Sequence, residues 1–141
     1  MKNTTAIRYH DISAGHRVVG HENKCAHLHG HNYRVWFYCK AAELDYLGRV
    51  LDFSVIKSKL CMWLEDNWDH KMLIYEHDPL LPQLQQMAPD DIVVVPFNPT
   101  AELIAQYIVE DVAIDALAGT GVVLWKVVIE ETRKCSASYE R

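Results

Sequence analysis

The sequence lacks the paired cysteines that mark a disulfide framework or a zinc finger. Four cysteines occur in its 141 residues, and none of them stands in a CxxC pair. The first residues also lack the apolar stretch of a secretory signal peptide. We therefore expect a cytoplasmic protein whose thiols stay reduced. The four thiols belong to Cys25, Cys39, Cys61 and Cys135.

Long apolar runs are missing as well, and so the sequence predicts no membrane-spanning helix. The best candidate, residues 122–129, is interrupted by Lys126 and is typical of a strand. The formal net charge of −5, counted with neutral histidines, disfavours nucleic acids and anionic membranes as partners. An anionic small molecule stays compatible with this charge, because a few local basic residues are enough to form its pocket.

Internal repeats, low-complexity tracts and linkers are absent too, and so we expect one domain over residues 1–141. Half of the residues are apolar, which is enough for a packed core. Apolar periodicity predicts two helices, over residues 54–67 and 100–118. It predicts strands over residues 5–13, 29–42, 122–131 and 136–139. Pairs of strands with helices between them indicate an α+β fold with an antiparallel sheet.

Both predicted helices begin with residues that favour a helix start. Ser54 is the expected N-cap of the first helix, and Thr100 is that of the second. Glu102 then complements the dipole of the second helix. The segment 75–97 contains several prolines and one short apolar run, residues 92–95. The sequence pattern assigns no role to this segment.

Five histidines within residues 16–31 give the strongest chemical signal. His29 and His31 lie two residues apart in a predicted strand, so both imidazoles point to one side and can reach one ion. A third imidazole would leave the fourth position of a tetrahedral zinc open, as in catalytic sites. Spacing alone does not choose this third ligand among His16, His21 and His27. The competing interpretations are a structural zinc site with a cysteine ligand and a solvated histidine pair without metal.

Three further features are candidates for proton chemistry beside such a metal. Cys25 would have a lowered thiol pKa near a dication, which makes it a candidate general base. Asp69 precedes His70, and a carboxylate that orients an imidazole raises its basicity. Glu131 ends an apolar strand face, where its carboxylate can bind a pair of N–H groups. The ordinary alternatives are a buried inert thiol, a solvated helix end and a solvated strand-end glutamate.

Taken in order along the chain, these features resemble the 6-pyruvoyltetrahydropterin synthase family. The motifs spread over nearly the whole sequence, and their combination is far more specific than any one of them. They are residues 12–16, Cys25 followed by His29-Gly30-His31-Asn32-Tyr33, Leu51-Asp52-Phe53, Trp68-Asp69-His70-Lys71, Asn98-Pro99-Thr100-Ala101-Glu102 and Glu131-Thr132.

This resemblance implies a set of site residues. The implied zinc ligands are His16, His29 and His31. The implied catalytic residues are Cys25 as proton acceptor, Asp69 with His70 as a supporting pair, and Glu131. Glu131 would also anchor the pterin ring of the substrate. The other candidate substrate-binding residues are Thr100, Glu102, Lys24 and His27.

The implied fold is the T-fold, a four-stranded antiparallel sheet with two helices packed on one face. Members of the family assemble trimers stacked as hexamers, with active sites between subunits. The three residues between Cys25 and His29 are similar to the queuosine-pathway branch, which converts 7,8-dihydroneopterin triphosphate into 6-carboxytetrahydropterin, acetaldehyde and triphosphate. The alternatives are the pyruvoyl-forming reaction and a non-catalytic zinc-binding assembly module. His27 departs from the family pattern, which often has arginine at this position.

Overall fold

A single mixed sheet organises the chain in the computed structural model, which describes residues 3–141. Its strands run in the spatial order β4-β3-β1-β2-β5-β6. The sheet contains both kinds of pairing. β2 is antiparallel to β1 and to β5, and β6 is antiparallel to β5. β3 is parallel to β1, and β4 is parallel to β3. The strands are β1 (Ala6–His16), β2 (His29–Ala41), β3 (Met72–Tyr75), β4 (Ile92–Val95), β5 (Val122–Glu130) and β6 (Ser136–Glu140).

The antiparallel sheet expected from the sequence is present as β1, β2, β5 and β6. The expected total of four strands is wrong, because β3 and β4 extend the sheet to six. Each of the added strands has only four residues, and neither alternates between apolar and polar residues. A short apolar run without alternation carries no reliable strand signal, and so only the pairing itself identifies these strands.

Two long helices pack on the inner face of the sheet, as expected. The first covers residues 53–67 as Phe53–Ile56, a π-helical turn Lys57–Cys61 and Met62–Asn67. The second covers residues 101–116 as Ala101–Tyr107, a π-helical turn Ile108–Val112 and Ala113–Ala116. An unexpected third helix, Leu81–Met87, lies in the segment 75–97. Within residues 3–141, no helix is long and apolar enough to cross a membrane.

The helix caps are partly those predicted. Thr100 caps the second long helix, and its hydroxyl oxygen accepts a hydrogen bond from the backbone N–H of Leu103 at 3.2 Å. The first long helix is capped by Asp52 rather than Ser54. The Asp52 carboxylate accepts from the N–H of Ser54 at 2.9 Å, so the aspartate provides the acceptor two residues earlier than expected.

The two faces of the sheet differ sharply. The inner face is buried against the long helices, with Phe37, Val127 and Ile129 fully enclosed. The outer face carries aromatic side chains that this chain leaves partly uncovered, and Tyr9 is 44% exposed. Cations lie over these rings: the Arg34 guanidinium is 4.1 Å from the Tyr9 ring centroid. The outer face is therefore amphipathic, whereas the inner face forms the core.

Replacing Phe37 with alanine should lower the free energy of unfolding by about 3–5 kcal/mol, because the side chain is completely buried and leaves a cavity. Tyr46→Ala is the control, since Tyr46 is 89% exposed and its loss should cost less than about 0.5 kcal/mol. Urea unfolding at one fixed protein concentration measures both. Equal losses in the two variants would contradict the position of Phe37 in the core.

Candidate active site

Three histidine side chains converge where β1 ends and β2 begins. The antiparallel register pairs His16 with His29 and Ala14 with His31, so the two strands bring these residues side by side. The Nε2 atoms of His16 and His29 are 3.0 Å apart. One side-chain nitrogen from each of the three histidines lies within 4.8 Å of the others. We call these three residues the histidine cluster.

Backbone carbonyl groups orient two members of the histidine cluster. The Nδ1 atom of His16 is 2.7 Å from the carbonyl oxygen of Pro99, and Nδ1 of His29 is 2.7 Å from that of His27. A carbonyl only accepts, so both Nδ1 atoms carry the proton and both Nε2 lone pairs face inward. Two lone pairs at 3.0 Å repel each other unless a cation lies between them.

The third member, His31, has a buried Nε2 atom without a hydrogen-bond partner. The Glu131 carboxylate is near, with Oε1 at 3.3 Å, but it is not aligned for a hydrogen bond. Burial is the main cause that lowers the pKa of His16 and of His31, so both rings favour the neutral form. Neutral convergent imidazoles with an orphaned nitrogen fit a transition-metal ion such as zinc.

Of the three candidates for a third ligand, His16 is the one that lies beside His29 and His31. His16 is buried in the histidine cluster. The ring of His27 is exposed, and only the backbone carbonyl of His27 contacts the cluster, through Nδ1 of His29. His21 accepts a hydrogen bond from the N–H of Asn23 at 2.9 Å, outside the cluster. Within residues 3–141, the three-histidine group is the one set of His, Cys, Asp or Glu side chains that converges closely enough to hold a metal, and it does not include Cys25.

Cys25 lies in a single helical turn, Lys24–Ala26, in the loop between β1 and β2. Its thiol is free and partly exposed. The pKa of Tyr33 is raised by burial above all, and then by the negative charges of Glu131 and Cys25. A backbone hydrogen bond holds the Cys25 turn close to the histidine cluster, because the N–H of Val18, two residues after His16, donates to the carbonyl of Cys25 at 2.8 Å.

Tyr33 is a site residue that the sequence indicated only as a member of a family motif, without a role of its own. Its ring packs edge-on against His16 and His31, with centroids 5.8 and 5.4 Å away. The side chain is 3% exposed, yet its hydroxyl has no hydrogen-bond partner. Alternation along the strand could have indicated this position, because Tyr33 follows His31 by two residues and therefore lies on the same strand face.

Asp69 and His70 form the expected contact, with Asp69 Oδ2 2.7 Å from His70 Nδ1. Ser13 fixes the pair from β1: its N–H donates to Asp69 Oδ1 at 2.9 Å, and its carbonyl accepts from the N–H of His70 at 2.6 Å. Burial works against ionisation of Asp69, but the Ser13 N–H and His70 hold the pKa of that carboxyl below its usual value. His70 adopts a φ of 60°, which is rare outside glycine.

This pair makes no polar contact with Cys25 within the described residues of one chain. The His70 side chain is 79% exposed. In residues 3–141, no hydrogen bond or ion pair joins Asp69 or His70 to Cys25 or to the histidine cluster. The pair instead borders an open cavity of about 610 Å³ that also contacts Arg34 and Arg133. The pair therefore has no direct polar contact with the histidine cluster, although His70 and His31 both line a second cavity of about 540 Å³.

The remaining candidate substrate-binding residues lie on two segments, the turn that contains Cys25 and the start of the second long helix. Lys24 and His27 are exposed on either side of Cys25, and Glu102 is exposed in the first turn of its helix. Thr100 is half-buried and occupied as a helix cap. It directly follows Pro99, whose carbonyl orients His16, so this helix start adjoins the cluster.

Asn98 is another residue whose role the sequence pattern did not reveal. Its side-chain amide accepts from the N–H of Val19 at 2.9 Å and donates to the carbonyl of Val19 at 3.0 Å. This double hydrogen bond ties the chain just after His16 to the segment that carries Pro99. The Asn98-Pro99 pair therefore contacts both the ring of His16 and the backbone of Val19, three residues later.

Known proteins are similar to this chain in sequence and in architecture. A protein of Rickettsia felis named 6-carboxy-5,6,7,8-tetrahydropterin synthase is 32% identical over 126 residues, which cover 89% of this chain and 91% of the relative. The crystal structure of an uncharacterised protein from Wolinella succinogenes superimposes with a TM-score of 0.84 at 24% identity, covering 98% of both chains.

The Caenorhabditis elegans 6-pyruvoyl tetrahydropterin synthase superimposes with a TM-score of 0.70 at 25% identity, covering 98% of this chain and 95% of that one. These likenesses confirm the α+β T-fold that the sequence motifs implied. Residues 6–141 match the family model described as 6-pyruvoyl tetrahydropterin synthase. The chain therefore belongs to the 6-pyruvoyl tetrahydropterin synthase family.

Proposed function

We propose that the protein is a zinc-dependent lyase that converts 7,8-dihydroneopterin triphosphate and one water molecule into 6-carboxy-5,6,7,8-tetrahydropterin, acetaldehyde and triphosphate. This reaction belongs to the biosynthesis of 7-deazaguanines such as queuosine. The observation that carries the proposal is the histidine cluster, with the Glu131 carboxylate 3.3 Å from His31 and the Cys25 turn hydrogen-bonded to the chain just after His16. The choice of this particular reaction rests on relatives that align with most of the chain and are named 6-carboxy-5,6,7,8-tetrahydropterin synthase.

The zinc ligands in this proposal are His16, His29 and His31. A zinc ion held there supplies a Lewis acid for the oxygens of the substrate side chain. The chain supplies the neutral imidazoles, and the carbonyls of Pro99 and His27 keep two of them in the required orientation.

Proton transfer is assigned to side chains around the cluster. Cys25 accepts a proton from a side-chain carbon of the substrate. Glu131 binds N–H groups of the pterin ring with its carboxylate, which fixes the carbon presented to the thiol. The exposed Lys24 and His27 flank Cys25 and suit the triphosphate, while Thr100 and Glu102 border the pocket at the helix start.

The second acid/base is His70, oriented by Asp69, and it acts on a site of another subunit. Support comes from the absence of any hydrogen bond or ion pair between this pair and Cys25 within residues 3–141, and from the exposed position of His70 at an open cavity. The assembly is a hexamer of two stacked trimers. The sheet favours association, because residues 6–12 of β1 pair with no strand on their outer edge within residues 3–141 and the outer face is rich in aromatic rings.

The compartment proposed is the cytoplasm. All four cysteines are free thiols, which suits a reducing environment and a thiol catalyst. The pyruvoyl-forming reaction is the second candidate, because the family model and the C. elegans structure carry that name. The two reactions differ in their products, and so one assay separates them.

Incubation of the purified protein with 7,8-dihydroneopterin triphosphate should release acetaldehyde and a product with the mass of 6-carboxytetrahydropterin. A chelator should abolish the reaction and added zinc should restore it, because the histidine cluster would lose and regain its ion. Mass spectrometry of the pterin and an aldehyde assay provide the measurement. A 6-pyruvoyl product without acetaldehyde would favour the second candidate instead.

His16→Ala should reduce bound zinc from about one ion per chain to almost none, because three ligands are needed for tight binding. His27→Ala is the matched control. It keeps the carbonyl that orients His29, and its own ring is exposed, so zinc should be retained. Metal analysis after gel filtration measures both variants. Loss of zinc in His27→Ala with retention in His16→Ala would reverse the ligand assignment.

Cys25→Ala and His70→Ala should each lower kcat by about 100-fold or more while zinc is retained. If the two groups act together from different subunits, mixing the two inactive variants under conditions that exchange subunits restores about one quarter of the sites. Activity of the mixture, compared with each variant alone, is the measurement. No recovery, despite exchange verified by native mass spectrometry, would place both groups in the same subunit.

A further inference from the structure

Asp78 is a buried carboxylate in the segment 75–97, to which the sequence pattern assigned no role. Its side chain is completely shielded from solvent. Oδ1 accepts a hydrogen bond from the N–H of Leu80 at 2.8 Å, and Oδ2 accepts from Nε of Arg17 at 2.9 Å. A buried carboxylate needs such a charged partner, because unpaired burial of an ion is strongly unfavourable.

Arg17 makes a second hydrogen bond with the other side of its guanidinium group. Its Nη1 donates to the carbonyl oxygen of Ala26 at 2.7 Å. The planar guanidinium therefore links two points that are far apart in the sequence, Asp78 and Ala26. Arg17 itself immediately follows His16, so the link starts at the end of the strand that carries a cluster ligand.

The anchored carbonyl belongs to the residue that follows Cys25. The carbonyl of Cys25 is also held, because it accepts from the N–H of Val18 at 2.8 Å. The single turn that contains Cys25 has no buried residue of its own and no side-chain cap. Apolar packing thus contributes little to its position, and these two hydrogen bonds fix its backbone against the end of β1.

We propose that Arg17 and Asp78 are positioning residues that hold the Cys25 turn against the histidine cluster. The segment 75–97 thereby serves the site from a distance, by delivering the carboxylate that fixes Arg17. The inference rests on the proposed function in one respect: it takes Cys25 to be the group that moves a proton. Misplacement of such a group by about 1 Å can slow a reaction by about 100-fold.

Arg17→Lys tests the link with little disturbance of the core. The ammonium group keeps a positive charge beside Asp78, but it lacks the planar fork that reaches Ala26 at the same time. We expect kcat to fall by about 10- to 100-fold, while the KM changes little and zinc stays at about one ion per chain. The control is Arg49→Lys, because Arg49 forms the same Nε contact, 2.9 Å from Asp45, in a turn outside the site. Its kcat should match that of the wild type.

Hydrogen–deuterium exchange gives a readout that does not depend on the reaction. The Val18 amide and the peptide covering residues 21–28 should exchange faster in Arg17→Lys than in the wild type, while β2 and β5 stay protected. If the wild type forms no pterin product, the proposed function fails, yet this exchange still tests the link. Wild-type exchange together with wild-type kcat would overturn the inference.

Loss of zinc in Arg17→Lys would also overturn it, because the pair would then support the ligand His16 rather than the turn of Cys25. Should Arg17→Lys fold poorly, the double variant Arg17→Met/Asp78→Leu replaces the ion pair with apolar groups of similar size, a change that buried pairs often tolerate. It also removes the contact with Ala26. The same loss of kcat, with zinc retained, is expected from it.

Discussion

The antiparallel register between β1 and β2 is the constraint on which the site depends. Eleven residue pairs run from Ala6 opposite Cys39 to His16 opposite His29. A shift by one residue would turn every side chain of one strand to the opposite face. The core side chains of β1 and β2 therefore fix the histidine cluster as well, since the same alternation that buries Val35 and Phe37 points His29 and His31 inward.

Burial at this end of the two strands then lowers the pKa of His16 and of His31. The nearest polar neighbours of the histidine cluster are backbone carbonyls, the Glu131 carboxylate and the Tyr33 ring. Burial favours the neutral rings of His16 and His31. Backbone carbonyls select the nitrogen that keeps the proton in His16 and His29. The result is a group of lone pairs that repel each other in the absence of a cation. The same environment keeps the Tyr33 hydroxyl protonated, so it can only act as a neutral donor or acceptor.

Much of this arrangement follows from local sequence rules. The parity of His29 and His31 predicts that they share a side, and the position of Thr100 predicts its cap. The place of His16 rather than His27 beside these two histidines could not be derived in this way, because it depends on how β1 pairs with β2 across a twelve-residue loop. For the same reason, the contact between Asp78 and Arg17 and the strands β3 and β4 are visible only in three dimensions. The roles of Cys25, His70 and Glu131 stay predictions, since their geometry is compatible with those roles without testing them.

The unpaired edge of β1 has a consequence for handling the protein. Over residues 6–12 this edge pairs with no other strand of the described chain, and it adjoins an outer face with exposed aromatic rings. A lone subunit with such an edge can recruit any extended chain, including a copy in the wrong register. Dilution or mild denaturant would then yield aggregates rather than well-behaved monomers. In the proposed assembly, the practical stability of the protein would consequently be set by how rarely subunits separate, and a rate of dissociation would describe it better than an unfolding midpoint.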